Sequence, residues 1–318
     1  MIVAACIALS ALAAVPRQDG TAPAAPDPVR EARQAIEKSL PFIEAKGVEW
    51  IRDRKCSSCH HVTFMVWSHR DARERGFAVD GKKVDEWTRW AVDFSLTTKS
   101  KEGQRGGGLD TVAQVILARR PYKADAPVDA ADREFAEILL GLQKPEGFWE
   151  AGGQLPSQRR PKDETNEATT RWVLLALESL GPEDDARKAA REKATKWLAG
   201  RKPGQSNESI ALAALMTRSD PLLKDLLARQ NEDGGWSWMN GEASDALATG
   251  QTLYVLSRMG AAVDPRPVRR AWEFLVRTQG GNGSWKVRST KEKAKDDSMS
   301  SYWGTAWAAI GLLRTLPE

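Results

Sequence analysis

The stretch QNEDGGW, Gln230 to Trp236, decides the fold. An apolar, helix-periodic segment runs into Gln230. Asn231, Asp233, Gly234 and Gly235 then supply turn chemistry ahead of a large aromatic. The same order recurs as QKPEGFW, Gln143 to Trp149, and as QGGNGSW, Gln279 to Trp285. EAKGVEW, Glu44 to Trp50, keeps the spacing with Glu in place of Gln. Units of this size, repeated, point to stacked or ring-closed supersecondary structure. Trp50, Trp149, Trp236 and Trp285 are therefore expected at equivalent corners, in a chain with 13 tryptophans and only 3 tyrosines.

Working outward from these turns, apolar periodicity and breakers predict six helix pairs. They are 31–46 with 59–76, 83–98 with 108–119, 131–143 with 166–180, 186–199 with 207–217, 221–230 with 245–259, and 265–279 with 301–315. The second member of each pair is smaller and more apolar, as in SIALAALM and GTAWAAIGLL, and suits an inner ring packed on all sides. The first members carry Arg, Lys and Glu on one face, as in REKATKWL, and suit an outer ring. Six pairs is the number that closes an α6/α6 toroid, so an all-α fold over residues 31–318 is expected, with no strand pattern competing.

The turns resemble the QW repeats of squalene-hopene cyclases, which share an αα-toroid with the protein prenyltransferase β subunits. The resemblance covers most of residues 31 to 316, and QNEDGGW is its most specific copy. It implies that Gln and Trp brace the turn between outer and inner helices, where a Gln amide can satisfy helix-end groups and an indole can stack. It also shows what is missing. The cyclases protonate substrate with a D-x-D-D motif on an inner helix. Here the nearest segment, SDALATGQTLY, holds the single Asp245, and Asp296-Asp297 lies in a charged loop. The prenyltransferases use an Asp, Cys and His zinc site, and no cysteine follows Cys59 and no histidine follows His69. Squalene cyclase or prenyltransferase activity is therefore not expected, because function follows the site and not the fold.

Asp110, Glu167, Glu208 and Asp245 each stand at the predicted start of an inner helix, three of them after Asn166, Asn207 or Ser244. Capping and macrodipole complementarity explain both residue type and place. A ring of carboxylates around a cavity mouth is the functional alternative. If they are caps, Asp245→Asn should leave stability nearly unchanged.

KCSSCHH, residues 55 to 61, is the second informative stretch. C-x-x-C-H is the attachment signal of c-type haem. This resemblance to c-type cytochromes covers only Cys56 to His60. It implies one haem c, with thioethers at Cys56 and Cys59 and His60 as proximal iron ligand. His61 and His69 are badly placed for the opposite face. If the ring closes, Met299 becomes the neighbour and is the distal candidate, with Met239 next. A thioredoxin-like dithiol lacks its βαβ context, and a zinc site would need less contiguous ligands. A Cys56–Cys59 disulfide at the rim remains the alternative.

Residues 1–16 read as a signal peptide: the apolar run Ile2 to Val15 is too short to span a bilayer, and Ala11-Leu12-Ala13 fits a cleavage site. No basic residue precedes the run, so the natural start is expected further upstream. Val3 to Cys6 has a lipobox-like look, but the apolar core follows the cysteine. Residues 17–30, rich in Pro and Ala, read as a disordered linker. The expected compartment is periplasmic or secreted, where disulfides and haem c both form. A formal net charge of +4 with signs interspersed shows no nucleic-acid footprint, and no transmembrane span is expected. Two functional readings follow. One is an exported toroid carrying haem c in electron transfer or redox and ligand sensing, with a redox partner protein or a small cavity ligand. The other is a haem-free cyclase-like toroid, acting as a binding scaffold or as an enzyme.

Overall fold

A computed structural model describes residues 27–57, 60–99, 108–120, 127–152, 155–260 and 265–317. The outer helices are α1 (Pro28–Arg54), α3 (Gly81–Thr97), α5 (Ala130–Gly141), α7 (Asp185–Ala199), α9 (Asp220–Ala228) and α11 (Pro265–Thr278). The inner helices are α2 (Val62–Glu74), α4 (Leu109–Arg119), α6 (Lys162–Glu178), α8 (Asn207–Thr217), α10 (Ala246–Met259) and α12 (Ser298–Thr315). Among the described residues there is no strand, only isolated bridges. Each inner helix packs on the next, and α12 packs on α2, so the ring closes. The periodicity argument is borne out for all six pairs.

Burial divides the rings as composition predicts. Asn207 to Leu215 of α8 are all buried, whereas α7 buries only Ala190, Ala194 and Leu198. Small residues let inner helices approach closely. A Cβ on Gly250 of α10 would strike the backbone of Trp307 and Ala308 in α12. The closing seam is also polar. Arg314 grips the fully buried Asp71 carboxylate with Nε (2.5 Å) and Nη2 (2.9 Å). Removing one partner of such a pair costs about 3–5 kcal/mol, since it strands a buried charge.

The three Gln copies form one geometry. Trp149, Trp236 and Trp285 are fully buried, and each Nε1 donates to a carbonyl of its own outer helix: Leu139 (2.6 Å), Leu226 (2.8 Å) and Leu275 (2.8 Å). Their backbone N–H groups donate to Thr170, Thr249 and Thr305 on the paired inner helices. Each Gln Nε2 donates to the carbonyl four residues on, and also to the next outer helix: Ala190, Pro267 and Ala35. The last of these, at 2.8 Å, carries α11 back to α1. Between Gln and Trp sit Gly147, Gly234 and Gly283, all at positive φ, where a Cβ would collide with the Lys193, Arg270 and Lys38 carbonyls.

Trp50 is not a fourth corner. α1 runs unbroken to Arg54, so Glu44 and Trp50 both lie inside a helix. The regular corners have glycine at the fifth position, where φ must be positive. EAKGVEW has Gly47 at the fourth and the β-branched Val48 at the fifth, so the helix continues. α1 also starts inside the span read as linker, at Pro28, with the Asp27 carboxylate accepting from Val29 N (3.0 Å).

Candidate functional site: the polar mouth of the toroid

The inner helices all begin at one rim. The segment after Trp149 ends in a single 3-10 turn, Leu155–Ser157, and then crosses that rim from the third helix pair to the sixth. Gln158 bridges Lys291, and Arg159 N donates to Thr290 O at 2.7 Å. Arg159 forms a bidentate pair with Glu242 (2.5 and 3.1 Å). Arg159 and Arg160 both lie over the ring of Trp238, at 5.4 and 5.5 Å.

Beneath this strap Glu208 is the hub, 4 % exposed. Its Oε2 accepts from Arg160 Nη1 (2.6 Å), and its Oε1 accepts from Trp172 Nε1 (2.9 Å) and Gln251 Nε2 (3.0 Å). Glu167 accepts from Arg171 Nη2 (2.9 Å) and Ser209 Oγ (3.0 Å). Several buried atoms in this region have no hydrogen-bond partner: Arg160 Nε, Arg171 Nε, Gln251 Oε1, Gln158 Oε1 and Trp303 Nε1. Such groups cost about 1–3 kcal/mol each when left unmet, so their clustering marks a place built for a polar guest or waters. Deeper in the ring the inner helices pack an aromatic cluster. Trp172, Tyr254 and Trp307 sit 5.5–6.1 Å apart, with Trp67 and Phe64 behind them.

The four acidic positions separate. Asp245 is a cap: Oδ1 accepts from Ala248 N and Oδ2 from Trp238 N, both at 2.8 Å. The other three are not N-caps. Gly108 caps α4 and Ser206 caps α8, while α6 begins four residues before Asn166 and leaves Glu167 in its second turn. Asp110 is buried and accepts from Thr169 Oγ1 (3.1 Å). Burial is the main cause that pushes both Asp110 and Asp245 up to about 6, and the Glu208 carboxylate adds to it at Asp110. Of the four, Asp245 is the N-cap, Asp110 and Glu208 lie in the first turns of α4 and α8 where a carboxylate complements the macrodipole, and Glu167 lies past the first turn of α6, because sequence spacing does not show where that helix begins.

At the first corner the structure places Cys56 half-buried in a loop after Lys55, whose backbone is left-handed. Cys59 lies outside the described residues, and with it the partner needed for either thioethers or a disulfide. His60 sits in the turn ahead of α2, not on it. Its Nδ1 meets Nδ1 of His61 at 2.5 Å, and burial lowers it to about 4. His61 is sandwiched between Trp50 (4.0 Å) and Tyr302 (4.1 Å). Ring closure does bring Met299 and His60 to one pocket, with Gln158 and Trp303. That pocket holds about 50 Å3, room for a water or two. Met239 lies across the strap, in a mouth cavity of about 580 Å3 lined by Arg159, Glu164, Glu167 and Lys202.

No protein-family model matches the chain. Drimenyl diphosphate synthase of Streptantibioticus cattleyicolor is 40% identical over 63 residues, which is 20% of this chain and 12% of that protein. The drimenyl diphosphate synthase of Streptomyces showdoensis is 34% identical over 85 residues, 27% of this chain and 15% of that one. The chain therefore spans a small part of these curated relatives. Among solved structures, apo type II terpene cyclase MstE from Scytonema superposes with a TM-score of 0.55 at 15% identity, covering 91% of this chain and 99% of the other. An unsaturated glucuronyl hydrolase from Streptococcus agalactiae gives 0.52 at 12% identity, covering 91% and 92%.

These findings correct the reading of a haem-bearing electron-transfer or redox-sensing protein. The curated relatives are drimenyl diphosphate synthases, the similar structures include a type II terpene cyclase, and His60 and His61 pack on Trp50 and Tyr302. No helix among the described residues is long and apolar enough to cross a membrane. The chain has a terpenoid-cyclase-like αα-toroid fold.

Proposed function

We propose that this chain is a haem-free, exported, cyclase-type toroid that binds an isoprenoid at its mouth and protonates it with Asp110. The observation that carries the reading is a buried carboxyl that accepts from Thr169 near Glu208 and is raised by burial to about 6, in a ring whose core holds the rings of Trp172, Tyr254 and Trp307. A carboxyl in that range is substantially protonated under mildly acidic conditions and can serve as a general acid. Its proton adds to a carbon–carbon double bond, and the neighbouring double bond closes a ring onto the cationic carbon. Trp172, Tyr254 and Trp307 present π-faces to the migrating charge, each worth about 0.5–2 kcal/mol. Loss of a proton to water at the mouth returns a neutral isomer. The Gln-to-Trp turns support the likeness to cyclases, while Asp110 stands in place of the missing D-x-D-D.

The test is incubation with farnesyl diphosphate and a geranylgeranyl-bearing phenol, read by mass spectrometry of extracted products. The expected result is a cyclised isomer from the wild type. Asp110→Asn should lose at least about 100-fold in rate with its melting transition retained, the scale of a lost general acid. Saturable isoprenoid binding without turnover would favour the binding-scaffold reading, and absence of both would overturn the proposal.

A further inference from the structure

A second cavity lies outside the ring, between α1, α2 and α3. It holds about 510 Å3, within the range of small-molecule sites. Leu40, Pro41, Phe77, Val79 and Trp87 supply apolar walls. His69 lines its floor, 2 % exposed and edge-on to Trp87 at 5.3 Å.

The tautomer of His69 follows from its partners. Nδ1 lies 2.9 Å from the Met65 carbonyl, which can only accept, so Nδ1 carries the proton. Burial favours the neutral ring, which leaves Nε2 as a bare acceptor. No donor reaches Nε2, and the backbone group against the ring there is the Leu40 carbonyl, itself an acceptor. Further acceptors surround it. Pro41 sits inside α1 and has no N–H for the Glu37 carbonyl. Glu37 and Asp80 add carboxylates, and Glu44 adds a third already paired with Lys83 at 2.6 Å.

We infer that this cavity binds an apolar primary amine, whose ammonium donates to His69 Nε2 and to the acceptors around Glu37 while its body lies against Phe77, Val79 and Trp87. An ammonium has three donors and no acceptor, the complement of this lining. The three carboxylates against one lysine favour a cation, and the Trp87 and Phe77 rings favour an apolar cation. This site is separate from the mouth and does not depend on isoprenoid chemistry.

The probe is phenethylamine, titrated against the full chain by calorimetry and by the nitrogen chemical shifts of His69. Saturable binding with a large shift at His69 Nε2 is expected. 2-Phenylethanol, which keeps the shape with one donor, should bind about tenfold more weakly, the scale of one charge-assisted hydrogen bond. His69→Phe should remove the preference for the amine. Ala45→Trp, at an exposed wall position, should block binding while leaving the fold intact. No saturable binding of phenethylamine, equal or tighter binding of the alcohol, or binding unaffected by Ala45→Trp would each overturn the inference.

Discussion

The corner joining α1 to α2 and the corner ending at Trp236 begin from nearly the same spacing and finish as different structures. At Trp236 the helix stops, Gly234 takes a left-handed φ of 91°, and Gln230, Trp236 and Thr249 share out the loose backbone groups. At Trp50 the helix continues, the indole Nε1 has no partner, and the ring serves as a stacking surface for His61. A spacing of Gln and Trp is therefore insufficient. The glycine must fall where the chain reverses, and the inner helix must bring a threonine. Where those conditions fail, the same tryptophan becomes part of a histidine cluster at the rim.

The largest test of this contrast is Gly234→Val. The substitution demands a β-branched residue at positive φ and drives its side chain into the Arg270 carbonyl. A loss of more than about 4 kcal/mol is expected, seen as failure to show a cooperative melt. A variant as stable as wild type would mean that the corner does not control ring closure.

Trp236→Phe should cost about 2–4 kcal/mol in urea unfolding, because it leaves a cavity and removes the indole donor from the Leu226 carbonyl, which keeps only the longer bond from Arg229 N. The two buried aspartates then respond in opposite senses. Asp245→Asn turns one acceptor into a donor facing a backbone N–H, from Ala248 or Trp238, and should cost about 1–3 kcal/mol, against the near-neutral effect that capping alone implies. Asp110→Asn should stabilise instead. Its folded pKa of about 6 lies above its unfolded value of about 4, so the folded state binds the proton more tightly. That contribution is fully present below pH 4 and lost as pH rises to 6. The variant's advantage should accordingly grow across pH 4 to 6, to on the order of 2 kcal/mol, measured as the difference between paired unfolding curves. A flat difference would show that the carboxyl is not perturbed. Smallest of all is Trp50→Phe, expected within about 0.5 kcal/mol, since the unpaired Nε1 is removed and the aromatic face against His61 is kept.

Much of the ring was legible before any coordinates. The six pairs, the inner and outer roles and three of four corners follow from apolar period and turn residues. Gln143, Gln230 and Gln279 were readable as braces, but Thr170, Thr249 and Thr305 were not, since a threonine on an apolar helix has many other uses. The misplaced corner could have been caught from Val48, because a β-branched residue cannot hold the fifth position. The heptapeptide at 55–61 carried a strong local signal, and two of its residues, Ser58 and Cys59, lie outside the described residues. Motif spacing says nothing about whether a pocket beside His60 will be wide or nearly closed.

Helix identity, pairing order and turn sites are properties of neighbours along the chain, and so they were written in periodicity and breakers. The working features are not local in that sense. The Arg160–Glu208 pair joins residues 48 apart, and Arg159 reaches Thr290 only because the ring closes and puts the third and sixth pairs across a common rim. The strap that carries these arginines has no periodic pattern, so nothing in its composition names its destination. The acidity of Asp110 and the bare acceptor of His69 are also consequences of burial, which is a property of everything packed around them and not of the residues on either side.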